Sequence, residues 1–350
     1  MREPEPWLHD AWYVADWSET LKAGALHART LLGEPLVIFR DEDGALSALE
    51  DRCCHRLAPL SKGRLEPDGL RCMYHGMKFA PDGRCIEIPG QGTIPDKARV
   101  RRYPMLERGC WAWIWMGDPQ TADPDLVPAS IAREDPAWRL ATGTLDFEAD
   151  YRLLNDNLLD LSHLSYAHEN TLGWGAPHWA DNRPRLTTHK RGLRFERWNE
   201  NAPGHGKVRQ HGETFDVFNA YDFMAPGIFL QRTAWYPAGH AARLEQAAPD
   251  PADAYFVRLD EQAVTPLDAR RTRYFYAAGG PADQVDDNWA ARNLAFTERA
   301  FHEDKEIIEA QQQVIDRDPG HPMLTTSFDG GPIRFRRLMD GLIAGQDRPG

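Results

Sequence analysis

Between Asp51 and Phe79 the chain reads DRCCHRLAPLSKGRLEPDGLRCMYHGMKF, and no other stretch limits the possible fold as strongly. Cys53-x-His55 is followed, after a gap of sixteen residues, by Cys72-x2-His75. Each short loop therefore offers one thiolate and one imidazole. Structural zinc sites usually pair cysteine with cysteine and histidine with histidine at short spacings. Here each half mixes the two donor types. Two irons bridged by two sulfides call for such a sorting, with two cysteines on one iron and two histidines on the other.

That arrangement is a Rieske [2Fe-2S] centre, held by Cys53, His55, Cys72 and His75. Replacing two anionic thiolates by neutral imidazoles raises the reduction potential and puts the histidines on the iron from which an electron leaves. Gly63 and Gly76 flank the loops and suit the tight turns that bring backbone N–H groups toward sulfide. The spacing also separates the paired thiols. Choosing Cys54 would leave no residue between cysteine and histidine, at poor angles for two different irons. Cys53 is the expected ligand and Cys54 a bystander.

The five cysteines, at 53, 54, 72, 85 and 110, are an odd number in a chain whose opening MREPEPWLHDAWYVADW lacks a basic start and an apolar core. This argues against a disulfide framework and for a cytoplasmic protein. Cys85 and Cys110 read as packed core thiols. No apolar run reaches membrane-spanning length. A formal net charge of -12 argues against nucleic acid as a partner. Basic residues gather in KARVRR, Lys97 to Arg102, which reads as a solvated strand face, with a docking patch for an acidic electron donor as the alternative.

The first third reads as β structure. EPLVIFRDEDGALSALED and MKFAPDGRCIEI each place apolar runs around an Asp-Gly turn. CWAWIWMGD alternates Trp111, Trp113 and Trp115 on one strand face, as core. The proline-rich GDPQTADPDLVPAS marks a boundary near residues 117–130, dividing the chain into domains 1–120 and 121–350. Beyond it come a helical segment, ADYRLLNDNLLDLSHLSYAHEN, then a loop-rich stretch to about Gly206. Several strands follow over 207–280, then a long helix from about Asp286 to Ile315 and a short one from about Ile333 to Ala344.

The helical segment carries a second constellation. Asn157, Asp160 and His163 stand at three-residue steps, along one helical face. His168 falls ~140° from His163 on an ideal helix, so both can serve one metal only if the helix ends or bulges between them. Two imidazoles and one carboxylate with open positions form the facial triad of oxygen-activating non-haem iron. The long late helix supplies carboxylate candidates in Glu303, Asp304, Glu306 and Glu309.

With these motifs in view, the chain resembles the catalytic α subunit of Rieske non-haem iron oxygenases, nearest to the vanillate and dicamba O-demethylase type. The matching text runs from AWYVA through HRLAPLSKG, CMYHGMKF, IPGQ, RYPMLERG, WIWMGDP, DYRLLNDNLLDLSHLSYAH and EDKEIIEAQQ to FDGG. The resemblance implies an α+β fold, with an N-terminal Rieske β domain and a C-terminal helix-grip (START-like) catalytic domain built on a curved antiparallel sheet. It makes His163, His168 and Asp304 the ligands of a mononuclear Fe(II), with Glu303 as the fallback carboxylate. It makes Asp160 the inter-subunit electron bridge, hydrogen-bonded to His163 on its own chain and to His75 of a neighbour in a head-to-tail homotrimer. Asn157 lies near the iron. Cys54 departs from the proline common in such relatives.

The implied partners are O2, a small aromatic substrate in an apolar pocket, and a separate NAD(P)H-dependent reductase, with or without a ferredoxin. The implied reaction is hydroxylation or O-demethylation. When the hydroxylated carbon is an O-methyl group, the hemiacetal collapses to a phenol and formaldehyde. A methoxy aromatic acid would need a cation in the pocket, and Arg232, Arg258 and His240 are the candidates. Ring dihydroxylation is the alternative reaction. An iron-sulfur electron carrier without oxygenase activity is the alternative of another class.

Overall fold

The computed structural model describes residues 7–41, 43–129, 134–172, 182–204 and 206–346. The chain forms two compact units. One comprises Met1–Ala129, Thr265–Ala269 and Ile343–Gly350, the other Ser130–Val264 and Arg270–Leu342.

The first unit is built from three small sheets. In one, strand Trp111–Trp115 lies between Trp12–Trp17 and Met105–Arg108. Its central place buries both faces, so Ala112 and Ile114 are as enclosed as the three tryptophans. The indoles of Trp113 and Trp115 donate to the Arg108 and Asp118 carbonyls at 3.0 and 2.9 Å, which lets these large rings be buried without an unmet donor. Both Asp-Gly hairpins form: Glu34–Arg40 pairs with Leu46–Glu50, and Lys78–Phe79 with Cys85–Glu87.

Two expectations change here. Cys110 is only half-buried and has a left-handed backbone, φ 65°, so it is a turn residue and not a core thiol. Of the basic run Lys97 to Arg102, only Arg102 lies in a strand, and Arg101 pairs with Glu34 and sits over the Tyr103 ring. The proline-rich passage folds as two 3-10 turns, Pro119–Thr121 and Pro124–Leu126, each capped by the aspartate before it.

The second unit carries a seven-stranded antiparallel sheet. Its order is Trp138–Phe147, Arg271–Pro281, Phe256–Asp268, Ile228–Pro237, Thr214–Met224, Gly192–Pro203 and Arg185–His189. Its helices are α1 (Tyr151–Leu159), α2 (Leu164–Ala167), α3 (His240–Arg243), α4 (Asp287–Arg317) and α5 (Gly330–Gly345). The 31-residue α4 starts where the Asp286 carboxylate accepts the Trp289 N–H at 2.7 Å, a side-chain N-cap. It packs on strands Trp138–Phe147 and Arg271–Pro281.

Strand Gly192–Pro203 replaces the end of the expected loop-rich stretch; residues 173–181 of that stretch lie outside the described residues. Its charged residues Arg194 and Glu196 are paired with each other and with Asp222 and Arg185 across the sheet. Cross-strand ion pairing lets charged residues occupy strand positions.

Candidate functional site

The two loops of the opening motif share one backbone frame. The Cys53 N–H donates to the Ala58 carbonyl at 2.8 Å, and the Leu57 N–H returns to the Cys53 carbonyl at 2.9 Å. In the second loop, the Cys72 N–H donates to the Met77 carbonyl at 2.8 Å and the Gly76 N–H to the Cys72 carbonyl at 3.0 Å. The fourth residue after each cysteine is left-handed, Leu57 at φ 59° and Gly76 at φ 76°. Glycine meets that demand in one loop, and a leucine accepts it in the other.

Gly63 serves differently. Its backbone is extended, and an added Cβ would stand 2.3 Å from the Arg71 carbonyl oxygen, so it permits close approach and not a left-handed turn.

Two side chains that sequence reading passed over brace the loops. Asp51 accepts the Ser61 N–H and hydroxyl, both at 2.6 Å. Arg71 donates to the Gly76 carbonyl at 2.7 Å while pairing with Glu66 and Glu87.

Within this frame Cys53 and Cys72 are each 2% exposed, packed among Leu60, Leu70, Met77 and Phe79. Cys54 is exposed. His55 and His75 are exposed as well, with ring centroids 4.6 Å apart. Burial pushes the Cys53 thiol up to about 11, with the Cys72 sulfur close enough to hydrogen-bond. A bound metal would hold the Cys53 sulfur as a thiolate at neutral pH. Two inward thiols below two outward imidazoles fit a cluster whose histidine-bound iron faces solvent.

In the second unit, the segment after α1 breaks where sequence reading had one helical face. Asp160 is extended, φ -127° and ψ 93°, and its carboxylate caps the next turn by accepting the Ser162 N–H at 2.9 Å. A 3-10 turn, Leu161–His163, and α2 follow, and His168 ends α2. This break turns both imidazoles toward α4. The side chain of Asp160 does not reach His163: the His163 Nδ1 meets the Asp160 backbone carbonyl, at 2.5 Å.

Four residues converge as a result. Asp304 Oδ1 lies 3.3 Å from His168 Nε2 and 3.5 Å from His163 Nε2. The three donor atoms all lie within 4.8 Å of one another. Asn157 Nδ2 donates to the same Asp304 oxygen at 2.9 Å. Glu303 sits behind His168, its Oε2 2.8 Å from Nδ1 and held there by the Thr171 hydroxyl at 2.6 Å. Burial works against a charged His168, but the Asp304 and Glu303 carboxylates outweigh it and raise its pKa.

Donor separations of this size suit bonds of about 2.1 Å to one shared ion. Two imidazoles and a carboxylate are the donor set of non-haem iron with open positions. Glu306 is exposed, and Glu309 turns to Lys305 and the Glu148 N–H.

The cluster opens on a cavity of about 540 Å³, a size typical of small-molecule sites. The lining is apolar for the most part, with Leu158, Leu161, Leu164, Phe229, Phe296 and Phe301, as expected, but both helix and sheet add polar groups: Asn293 and Thr297 from α4, and Gln231, Arg258, Asp260 and Gln262 from the strands. Strand alternation groups the last three, since Arg258, Asp260 and Gln262 share one face. Of the three cationic candidates, Arg258 lines the cavity. Arg232 is not among its lining residues, and His240 is buried against Trp198 and Tyr236.

Residues 11–104 match the Rieske [2Fe-2S] domain, and residues 147–345 match the vanillate O-demethylase oxygenase C-terminal domain. The iron-sulfur subunit of the toluene-4-sulfonate monooxygenase system of Comamonas testosteroni is 35% identical over 97% of this chain and 98% of its own. The vanillate O-demethylase oxygenase subunit of a Pseudomonas species is 31% identical over 90% of this chain and 96% of its own. The crystal structure of dicamba monooxygenase bound to 3,6-dichlorosalicylic acid superposes with a TM-score of 0.86 at 27% identity, covering 97% and 99% of the two chains. The cysteine-histidine loops, the histidine-carboxylate cluster and these matches agree: the chain belongs to the Rieske non-haem iron oxygenases, as the oxygenase component of a multicomponent system supplied with electrons by a separate reductase.

Proposed function

We propose that the chain hydroxylates or O-demethylates a small aromatic, and that its substrate is a methoxy aromatic acid releasing formaldehyde. The observation that carries this reading is the convergence of His163, His168 and Asp304 at the wall of a cavity of about 540 Å³. The names of the relatives, toluene-4-sulfonate and vanillate among them, are those of aromatic anions.

In this reading Cys53, His55, Cys72 and His75 hold the cluster in a domain spanning about residues 1–120. His163, His168 and Asp304 hold the mononuclear iron in a domain spanning 121–350. Support for Cys53 over Cys54 is burial against Cys72; support for Asp304 over Glu303 is that Asp304 alone faces both Nε2 atoms. When bound, the two centres supply single electrons and dioxygen activation. The chain's own part is to orient and exclude. Glu303 fixes the His168 ring so that Nε2 faces Asp304, Asn157 steadies the Asp304 carboxylate, and Leu158, Leu161 and Phe301 keep the reacting carbon dry.

Asp160 is the bridge toward a neighbouring copy in a homotrimer. The exposed His55 and His75, beside exposed Leu57, Met73 and Tyr74, suit burial against such a copy. The described residues contain no helix long and apolar enough to cross a membrane, and the cytoplasm is the proposed setting. A reductase, directly or through a ferredoxin, is the electron donor.

The test is formaldehyde release from a panel of methoxy aromatic acids with a surrogate reductase. Products that are only ring diols would replace demethylation by dihydroxylation.

A further inference from the structure

The far end of the cavity holds donors with nothing to bind. Arg258 spends Nε on Asp260 Oδ1 at 3.1 Å, and Nη2 on the same oxygen at 2.5 Å and on the Thr297 hydroxyl at 3.0 Å. Its Nη1 has no partner among the described residues. The Thr297 hydroxyl in turn donates to the Asn293 backbone carbonyl at 3.0 Å, one turn back along α4, and Asn293 lines the same cavity. The Asn293 Nδ2 is buried and has no hydrogen-bond partner. An unmet buried donor such as Asn293 Nδ2 is rare enough to need a cause.

We infer that Arg258 and Asn293 form the head-group subsite for the carboxylate or sulfonate of an aromatic acid. The inference rests on the oxygenase reading above and adds where the acid sits. A carboxylate or sulfonate presents several acceptor oxygens and no donor, matching two unpartnered N–H groups. A carboxamide would set its own NH2 against them. Asp260 neutralises Arg258 and holds the fork still, so recognition rests on hydrogen-bond geometry more than on net charge.

The same helix sets the reach. Asn293, Thr297, Phe301 and Asp304 all line the cavity from α4. Thr297 stands about 10 Å along the axis from Asp304, and Asn293 about one turn farther. That span suits one aromatic ring with a substituent at each end, so the oxidised carbon is remote from the acid group and not ortho to it.

The test uses the iron-loaded protein and calorimetric titration with 4-methoxybenzoate, 2-methoxybenzoate, 4-methoxybenzamide and 4-methylbenzenesulfonate, followed by turnover. The expected result is that 4-methoxybenzoate or the sulfonate binds about ten-fold or more tightly than the amide and the ortho isomer. Their relative affinity assigns the head group as carboxylate or sulfonate. Asn293→Leu should erase that preference, raising KM for the acid more than it lowers kcat. Arg258→Lys, which keeps the charge beside Asp260, should do the same in part.

Equal binding of acid and amide, failure of every acid to bind, or an Asn293→Leu variant with the wild-type preference would overturn the subsite. Tight acid binding without formaldehyde from any methoxy arene would overturn the demethylase reading and leave the subsite standing.

Discussion

Glu303 and Asp304, neighbours in sequence, address opposite nitrogens of one imidazole: Glu303 Oε2 stands 2.8 Å from His168 Nδ1, and Asp304 Oδ1 3.3 Å from Nε2. One residue orients the ring, and the other is the proposed carboxylate ligand of the iron. Asp304→Ala should therefore lose the mononuclear iron while the Rieske electron paramagnetic resonance signal persists. Glu303→Gln should keep the site but weaken its iron affinity roughly 10- to 100-fold, the usual cost of losing such a support. Iron content per chain checks both, against three irons in the intact protein. An Asp304→Ala protein that retained all three would assign the carboxylate elsewhere.

His163→Ala should likewise drop one iron of three and abolish substrate-dependent oxygen uptake. Full uptake by that variant would show that the catalytic iron lies elsewhere.

At the paired thiols, Cys53→Ala should abolish the visible absorption of the cluster, because a buried ligand is lost. Cys54→Ala or Cys54→Pro should leave that absorption unchanged, since the side chain is exposed. Loss of the spectrum in both Cys54 variants would reverse the assignment.

Asp160→Asn separates the proposed bridging role from the fold. Asparagine caps the turn at Ser162 about as well as aspartate, and the His163 contact uses the backbone carbonyl. The expected outcome is a normally folded, fully metallated protein whose reduced cluster reoxidises more slowly with substrate and O2. Rapid-mixing absorption follows that step, and an unchanged rate would remove Asp160 from the electron route.

Asp146 and Arg273 form a two-pronged ion pair at 2.7 and 2.8 Å, and the guanidinium holds the carboxyl below its ordinary pKa. A depressed folded pKa stabilises the protein above the unfolded value, and that stability is lost as pH falls through the folded one. The pair is half-exposed and screened, so Asp146→Asn should cost at most about 1 kcal/mol at pH 7. Denaturant titrations should show the gap between the two proteins closing as pH drops below the ordinary carboxylate range.

Much of the site could be read in the chain because its chemistry is local. Two loops of cysteine and histidine are short motifs, and α4 announces itself by its length. What escaped depended on contacts made across the fold. The three-residue steps from Asn157 to His163 suggested a single helical face, but the Asp160 carboxylate competes for the Ser162 N–H and ends α1. Glu303 looked like a spare ligand until Thr171 and His168 were seen to hold it. Strand Gly192–Pro203 carries charges whose partners, Asp222 and Arg185, lie on neighbouring strands and are not visible in local sequence.

Because Asn293, Thr297 and Asp304 ride on one helix, α4 works as a ruler. Its graduations are helical turns, about 5.4 Å each. Both ends belong to one continuous helix, so the spacing between them is set by the helix rise. Re-targeting this oxygenase to a longer or shorter molecule is then a matter of moving a polar side chain by one turn along α4, and not of remodelling the metal ligands.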